Sequence, residues 1–237
     1  LRTLGGLSME ECLLPFVRDC VLTYLDSPIE DVRIEAAKTC CLLLLPRGQP
    51  VLSRGPSAAL LEEILQRLLQ VAVSDLVPAV RTTVLTGLDA RFDRFLCQMH
   101  HVTTLLFLLG DEDYGMRVQT IALLGRLARI NPAAVLPPLR QHLLNLISGL
   151  TYGYDPRFTE ECIMLLCHFL DETALQRIVR PFMSTIVHSL PLKDDVRLAT
   201  AGLEAMGALC TVMRQDMMTY VDTLIPVIIE NMNDPSS

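Results

Sequence analysis

An all-α fold, built as a solenoid of helical hairpins, is what this chain predicts, and three observations carry the expectation. An acidic turn followed by an arginine that opens a small-residue-rich apolar helix recurs at Asp31-Val32-Arg33, Val80-Arg81, Asp113-Tyr114-Gly115-Met116-Arg117, Asp155-Pro156-Arg157 and Asp195-Val196-Arg197, with the arginines 48, 36, 40 and 40 residues apart. Repetition at roughly 40–47 residues with two helices per period is the mark of HEAT or armadillo arrays. Composition agrees: 51% of residues are hydrophobic but only 5% aromatic, with no Trp, so the core is built from Leu, Ile, Val, Ala, Met and Cys. Apolar residues also recur at helical steps, for example Val32, Ala36, Cys40 and Leu43.

Taken in order, the first hairpin is expected over residues 8–45, with helices near Glu10–Leu25 and Glu30–Leu45 parted by Asp26-Ser27-Pro28. Three prolines and two glycines between Pro46 and Ser57 exclude a regular helix and predict an exposed inter-repeat loop, with a docking or modification site as the alternative. The second hairpin occupies 57–92, its second helix opening at Pro78 and running to Phe92. A third fills 93–130, where Val118, Ile121, Leu124 and Ala128 share a face. The fourth, 131–171, starts with Asn131 as N-cap and Pro132 at the first helical position. The fifth spans 174–213, and a half repeat over 216–233 ends the array.

The whole chain, 1–237, thus reads as one continuous right-handed superhelical stack of about five and a half repeats. Pro15, Pro137, Pro138, Pro181 and Pro226 recur midway along first helices, where each removes a backbone hydrogen bond and kinks the helix. Gly202 and Gly207 lie inside a helical pattern and are expected to let helices approach. With Leu1 in place of an initiator Met, and apolar ends without polar caps, the chain is expected to be a piece of a longer array.

Charge and cysteine usage narrow the function. The net charge is −7 and the pI about 5.2, which leaves no electrostatic footprint for nucleic acid. The longest uncharged helical stretch, Cys97–Gly110, is short of the ~18–20 apolar residues that cross a bilayer, so no membrane insertion is expected. Eight cysteines at irregular, mostly apolar helical positions suit a reducing, cytoplasmic setting better than a disulfide framework.

Motifs for chemistry are weak. Cys162 and Cys167 point about 140° apart on a helix, and no Cys-x-x-Cys accompanies them or His168, so core thiols are expected. His100 and His101 point about 100° apart and are not expected to grip one ion together, one being core-edge and the other solvated. No metal, cofactor or catalytic residue is therefore assigned. Acidic pairs such as Glu62-Glu63, Asp111-Glu112-Asp113, Glu160-Glu161 and Asp171-Glu172 are expected to be solvated groups complementing helix dipoles. A thiol enzyme using Cys97 is the rival from another class.

Several runs carry a resemblance. Leu1-Arg2-Thr3-Leu4-Gly5, Phe16-Val17-Arg18-Asp19-Cys20, Val32 to Cys40, Leu88-Asp89-Ala90-Arg91-Phe92-Asp93 and Gly125-Arg126-Leu127-Ala128-Arg129-Ile130-Asn131-Pro132-Ala133 resemble, in order, the N-terminal HEAT solenoid of the TOR kinases, members of the phosphatidylinositol-3-kinase-related family. Arg180-Pro181-Phe182-Met183 and Tyr220-Val221-Asp222 look like later counterparts. The resemblance implies a non-catalytic scaffold segment of a Ser/Thr kinase whose catalytic domain, with its ATP and Mg, lies far C-terminal. It implies dimerisation with a second TOR protomer, adaptors of the Raptor or Rictor type, and a cytoplasmic location with recruitment to lysosomal or vacuolar surfaces through partners. It further implies a ladder of turn residues between repeats, with Asp31, Arg33, Arg81, Arg117, Asp155, Arg157, Asp195 and Arg197 as its members. A phosphatase scaffold or nuclear-transport receptor is the alternative within solenoids.

Overall fold

The structure, a computed structural model, describes residues 13–44, 56–153, 155–192 and 196–232, and among these every regular element is helical. Two compact units divide the chain, residues 1–134 and 135–237. In the first, a short helix α1 (Leu13–Phe16) passes into a π segment (Val17–Val21) and a 3₁₀ segment (Leu22–Asp26), and α2 (Glu30–Leu44) returns alongside them. Pro15 sits at the start of this irregular run, as its missing N–H predicts. Val17, Val21 and Leu25 are buried with Ala36, Cys40, Leu43 and Leu44 between the two arms.

The second hairpin pairs α3 (Pro56–Ser74) with α4 (Pro78–Gly87). Pro56 belongs to the first turn of α3, so the loop expected over 46–57 is shorter at that end; its residues 46–55 lie outside the described residues. Leu61, Leu65, Leu68, Leu69 and Ala72 form the buried stripe of α3. Helix α4 stops at Gly87, five residues before the expected Phe92. At this end a Cβ on Gly87 would meet Cys41 Sγ at 2.6 Å, so the α4 backbone lies directly against the Cys41 side chain of α2. The chain then turns through Leu88, with its N–H bonded to Val84 and Leu85 carbonyls.

The third hairpin is broken where one helix was expected, into α5 (Asp93–Leu96) and α6 (Met99–Phe107), and it returns along α7 (Tyr114–Ile130). Asp113 caps α7 by accepting from the Met116 N–H at 2.9 Å. Asn131 accepts from the Ala134 N–H at 3.3 Å, the expected N-cap of α8 (Pro132–Tyr152).

In the second unit α8 carries Pro137 and Pro138 in its interior and packs Leu139, Leu143 and Ile147 inward. Its Gly149 lies so near α9 (Pro156–Asp171) that a Cβ would stand 2.7 Å from Cys162 Sγ. The first arm of the next hairpin is α10 (Thr173–Val179) and α11 (Met183–Ser189), parted by a 3₁₀ turn at Pro181. Helix α12 (Val196–Met213) follows, packed on α9 through Leu198, Ala201, Ala205, Met206 and Leu209. Beyond it a 3₁₀ segment, Arg214–Tyr220, leads into α13 (Val221–Met232), with Pro226 inside. Gly202 meets the Pro191 carbonyl and Leu192, as close approach requires, whereas Gly207 faces open space and packs on nothing.

One run differs from the expectation drawn on membrane-crossing segments. Val196–Pro226 is long enough, at 31 residues and a mean hydropathy of 1.3, to cross a bilayer by length and composition. Arg214, at φ 42°, interrupts it, and α12 packs on α9 with Leu198, Ala201, Ala205, Met206 and Leu209 buried.

Candidate functional site

The arginines that open second helices act across hairpins. Arg33, on the first turn of α2, donates to both oxygens of Asp75 in the turn of the following hairpin, at 2.8 and 3.1 Å, and to the Ser27 carbonyl of its own turn at 2.9 Å. Arg81 repeats the arrangement one hairpin on, donating to Asp111 at 2.7 Å and to the Asp75 carbonyl of its own turn at 2.9 Å. Each carboxylate is also held from within its own turn, Asp75 by the Val77 N–H and Asp111 by the Asp113 N–H, both at 2.9 Å. Turn, guanidinium and next turn therefore form one chain of bonds.

Both pairs are sheltered: the side chains of Arg33 and Asp75 are 14% and 8% exposed, and those of Arg81 and Asp111 10% and 8%. Burial pushes the Asp75 carboxyl up, but the Arg33 hydrogen bonds, the Val77 N–H and the charges of Arg33 and Arg81 outweigh it and hold the group below the usual carboxylate value. Arg33, bonded to Asp75, is shifted upward in turn.

The other expected ladder members behave differently. Asp31 is exposed on the first turn of α2, and the carboxylate beside Arg33 is Asp75 instead. Arg117 places its guanidinium 5.8 Å from the Tyr114 ring centroid. Asp155 spends its carboxylate capping α9, accepting from the Arg157 N–H at 3.0 Å, and Arg157 is exposed. Asp195 lies outside the described residues. Arg197 bonds Glu160 of the preceding hairpin at 2.7 and 3.0 Å, though its side chain is 68% exposed.

Asp111 and Glu160 were thus expected as solvated acids and are instead arginine partners. Neither Asp75 nor Asp111 had a sequence signal beyond its place just before a second helix. Further ion pairs join first arms of successive hairpins, Arg67 with Asp26 and Arg180 with Asp216 at 2.7 Å.

A second joint unites the two runs that carry the resemblance most specifically. Arg126 of α7 donates to the Leu88 carbonyl at 2.9 Å and to Asp93 at 3.1 Å, while Asn131 Nδ2 donates to the Cys97 carbonyl at 2.9 Å. Asp89 binds Arg91 twice, through its N–H at 3.0 Å and its Nε at 2.8 Å, and the Arg91 guanidinium lies 5.4 Å from the Phe92 ring centroid. These motif residues fix the α4–α5 turn against α7.

Burial pushes the Cys41 thiol up to about 12 and Cys167 to about 11, and raises Cys40 and Cys97 as well. A raised Cys97 is the reverse of what the thiol-enzyme reading needs.

His100 and His101 divide as expected, one half-exposed and the other buried, but their rings do not diverge. Both ring Nε2 atoms converge on Glu62 Oε1, His101 at 2.8 Å, with the ring centroids 4.0 Å apart. The 100° between their Cα–Cβ directions is closed by the reach of the rings toward α3.

Stacked helical hairpins pinned through their turns by arginine–carboxylate pairs define an α-solenoid, a structural repeat class whose working parts are surfaces. No protein-family model matches the chain. It is 33% identical over its full length to the Ser/Thr-protein kinase tor1 of Schizosaccharomyces pombe, 31% identical over 95% of its length to the Ser/Thr-protein kinase TOR2 of Saccharomyces cerevisiae, and 31% over 94% to the Ser/Thr-protein kinase TOR of Arabidopsis thaliana. The chain spans about a tenth of the length of these relatives. It belongs to the TOR family, as a segment.

Proposed function

We propose that this chain is a non-catalytic scaffold segment of a TOR-like Ser/Thr protein kinase acting in nutrient and growth signalling. The observation that carries the reading is the match: the chain aligns over 95–100% of its length with about a tenth of proteins named as Ser/Thr-protein kinases, and among its described residues every regular element is helical. ATP and Mg then belong to a catalytic domain elsewhere in the parent protein. The segment presents surface for a second protomer and for adaptors of the Raptor or Rictor type, in the cytoplasm, with recruitment to lysosomal or vacuolar membranes through those partners.

The mechanism is geometric. Within residues 1–134, the apolar packing between successive hairpins, reinforced by the sheltered Arg33–Asp75 and Arg81–Asp111 bonds, holds neighbouring hairpins together and keeps their surface residues at a set spacing. Rigid presentation lowers the ordering cost of association. The test is reconstitution of the parent complex with and without residues 1–237. Loss of dimer or adaptor from the deleted protein is expected; unchanged assembly of both would overturn the proposal.

A further inference from the structure

The cluster Glu62, His100 and His101 joins the first arms of two successive hairpins, α3 and α6, and plays no part in the ladder. Its three donor atoms lie within 4.8 Å of one another. His101 is 1% exposed, and its Nε2 lies 2.8 Å from Glu62 Oε1 yet makes no aligned hydrogen bond to any group.

We propose that Glu62, His100 and His101 form a binding site for a divalent transition metal of the Zn²⁺ class, which clips α6 to α3. The donor set is two imidazoles and one carboxylate, the combination of three-protein-ligand zinc sites that keep a fourth position for water. Tetrahedral ligation at ~2.0–2.2 Å holds neighbouring donor atoms about 3.3 Å apart. The 2.8 Å between His101 Nε2 and Glu62 Oε1 is therefore within a small side-chain adjustment of that spacing.

Access suits a metal. The side chains of His100 and Glu62 are 53% and 30% exposed, so an ion reaches the cluster from solvent, while His101 forms the buried wall. A hard cation such as Mg²⁺ prefers oxygen donors and is not favoured by two imidazoles.

Zn²⁺ titrated into the full chain by calorimetry, with excess Mg²⁺ present, tests the site against the half-exposed His100→Ala and Glu62→Gln variants. The proposal expects one equivalent of tight Zn²⁺ in the wild type, an affinity at least about 100-fold weaker in each variant, and a tetrahedral visible spectrum on Co²⁺ substitution that both variants lose. Circular dichroism of the variants without metal separates folding from ligation: His100→Ala, at an exposed position, keeps the helical signal. Equal stoichiometry and affinity in all three proteins would overturn the site, as would a wild type that binds only at millimolar Zn²⁺. The second outcome assigns the cluster to a plain Glu–His ion pair.

Discussion

Replacing Arg33 by Ala removes two charge-assisted bonds to Asp75 and one to the Ser27 carbonyl. A unit pair at 4 Å is worth about 4 kcal/mol at an effective dielectric of 20. Breaking a fully buried pair costs about 3–5 kcal/mol, because the surviving charge is stranded. Both side chains retain some exposure, 14% and 8%, and Asp75 keeps the Val77 N–H, so the expected loss is about 2–4 kcal/mol. For a chain of this size 1 kcal/mol moves Tm by roughly 2–4 °C. Stacked repeats open locally, however, so the loss concentrates where the first hairpin meets the second. Hydrogen exchange followed by mass spectrometry is the suitable assay: amides of α2 are expected to exchange roughly 30- to 1000-fold faster in Arg33→Ala, with those of α9 unchanged. Unaltered protection across α2, with Tm within 1 °C of wild type, would refute the ladder at this joint.

Arg197→Ala removes a bond to Glu160 made by a side chain 68% exposed, so it is expected to cost no more than about 1 kcal/mol by thermal melt, well below Arg33→Ala. Asp75 has a folded pKa below its unfolded value, so its contribution is full above about pH 4 and is lost as pH falls through the lower, folded value. Acid titration of α2 exchange is expected to show that loss in wild type and not in Asp75→Asn. Gly87→Ala drives a methyl to within 2.6 Å of Cys41 Sγ, and a stability loss of about 1–3 kcal/mol is expected in chemical denaturation, relieved at least in part when Cys41→Ala is added. Thiol labelling of the native protein is expected to modify the exposed Cys20 and Cys210 quickly and the buried Cys40 and Cys41 only on unfolding.

Much of the helical order was legible because it is local. Asn131 is the cap its place before Pro132 announced and Asp113 serves the helix start it was assigned to, whereas Asp155, expected in the ladder, caps α9 instead. Partners across hairpins were not legible, since Arg33 reaches Asp75 over 42 residues and Arg81 reaches Asp111 over 30, so no fixed spacing announces the acid. The close approach of Gly87 involves Cys41, a residue of another hairpin, and the split between α5 and α6 goes with bonds from Asn131 and Arg126. The convergence of the His100 and His101 rings was not legible for the same reason: their meeting point is Glu62, 38 residues from His100. Local rules gave the helices, and only packing gives what joins them.

The central claim is that rigid stacking in this segment governs assembly while chemistry happens elsewhere. It is tested most directly by placing Arg33→Ala with Arg81→Ala in the parent protein and measuring two quantities on one sample, the dimer fraction by mass photometry and the turnover of a short peptide substrate per molecule. The account predicts a lower dimer fraction with peptide turnover per molecule unchanged. Full dimerisation with turnover abolished would contradict it.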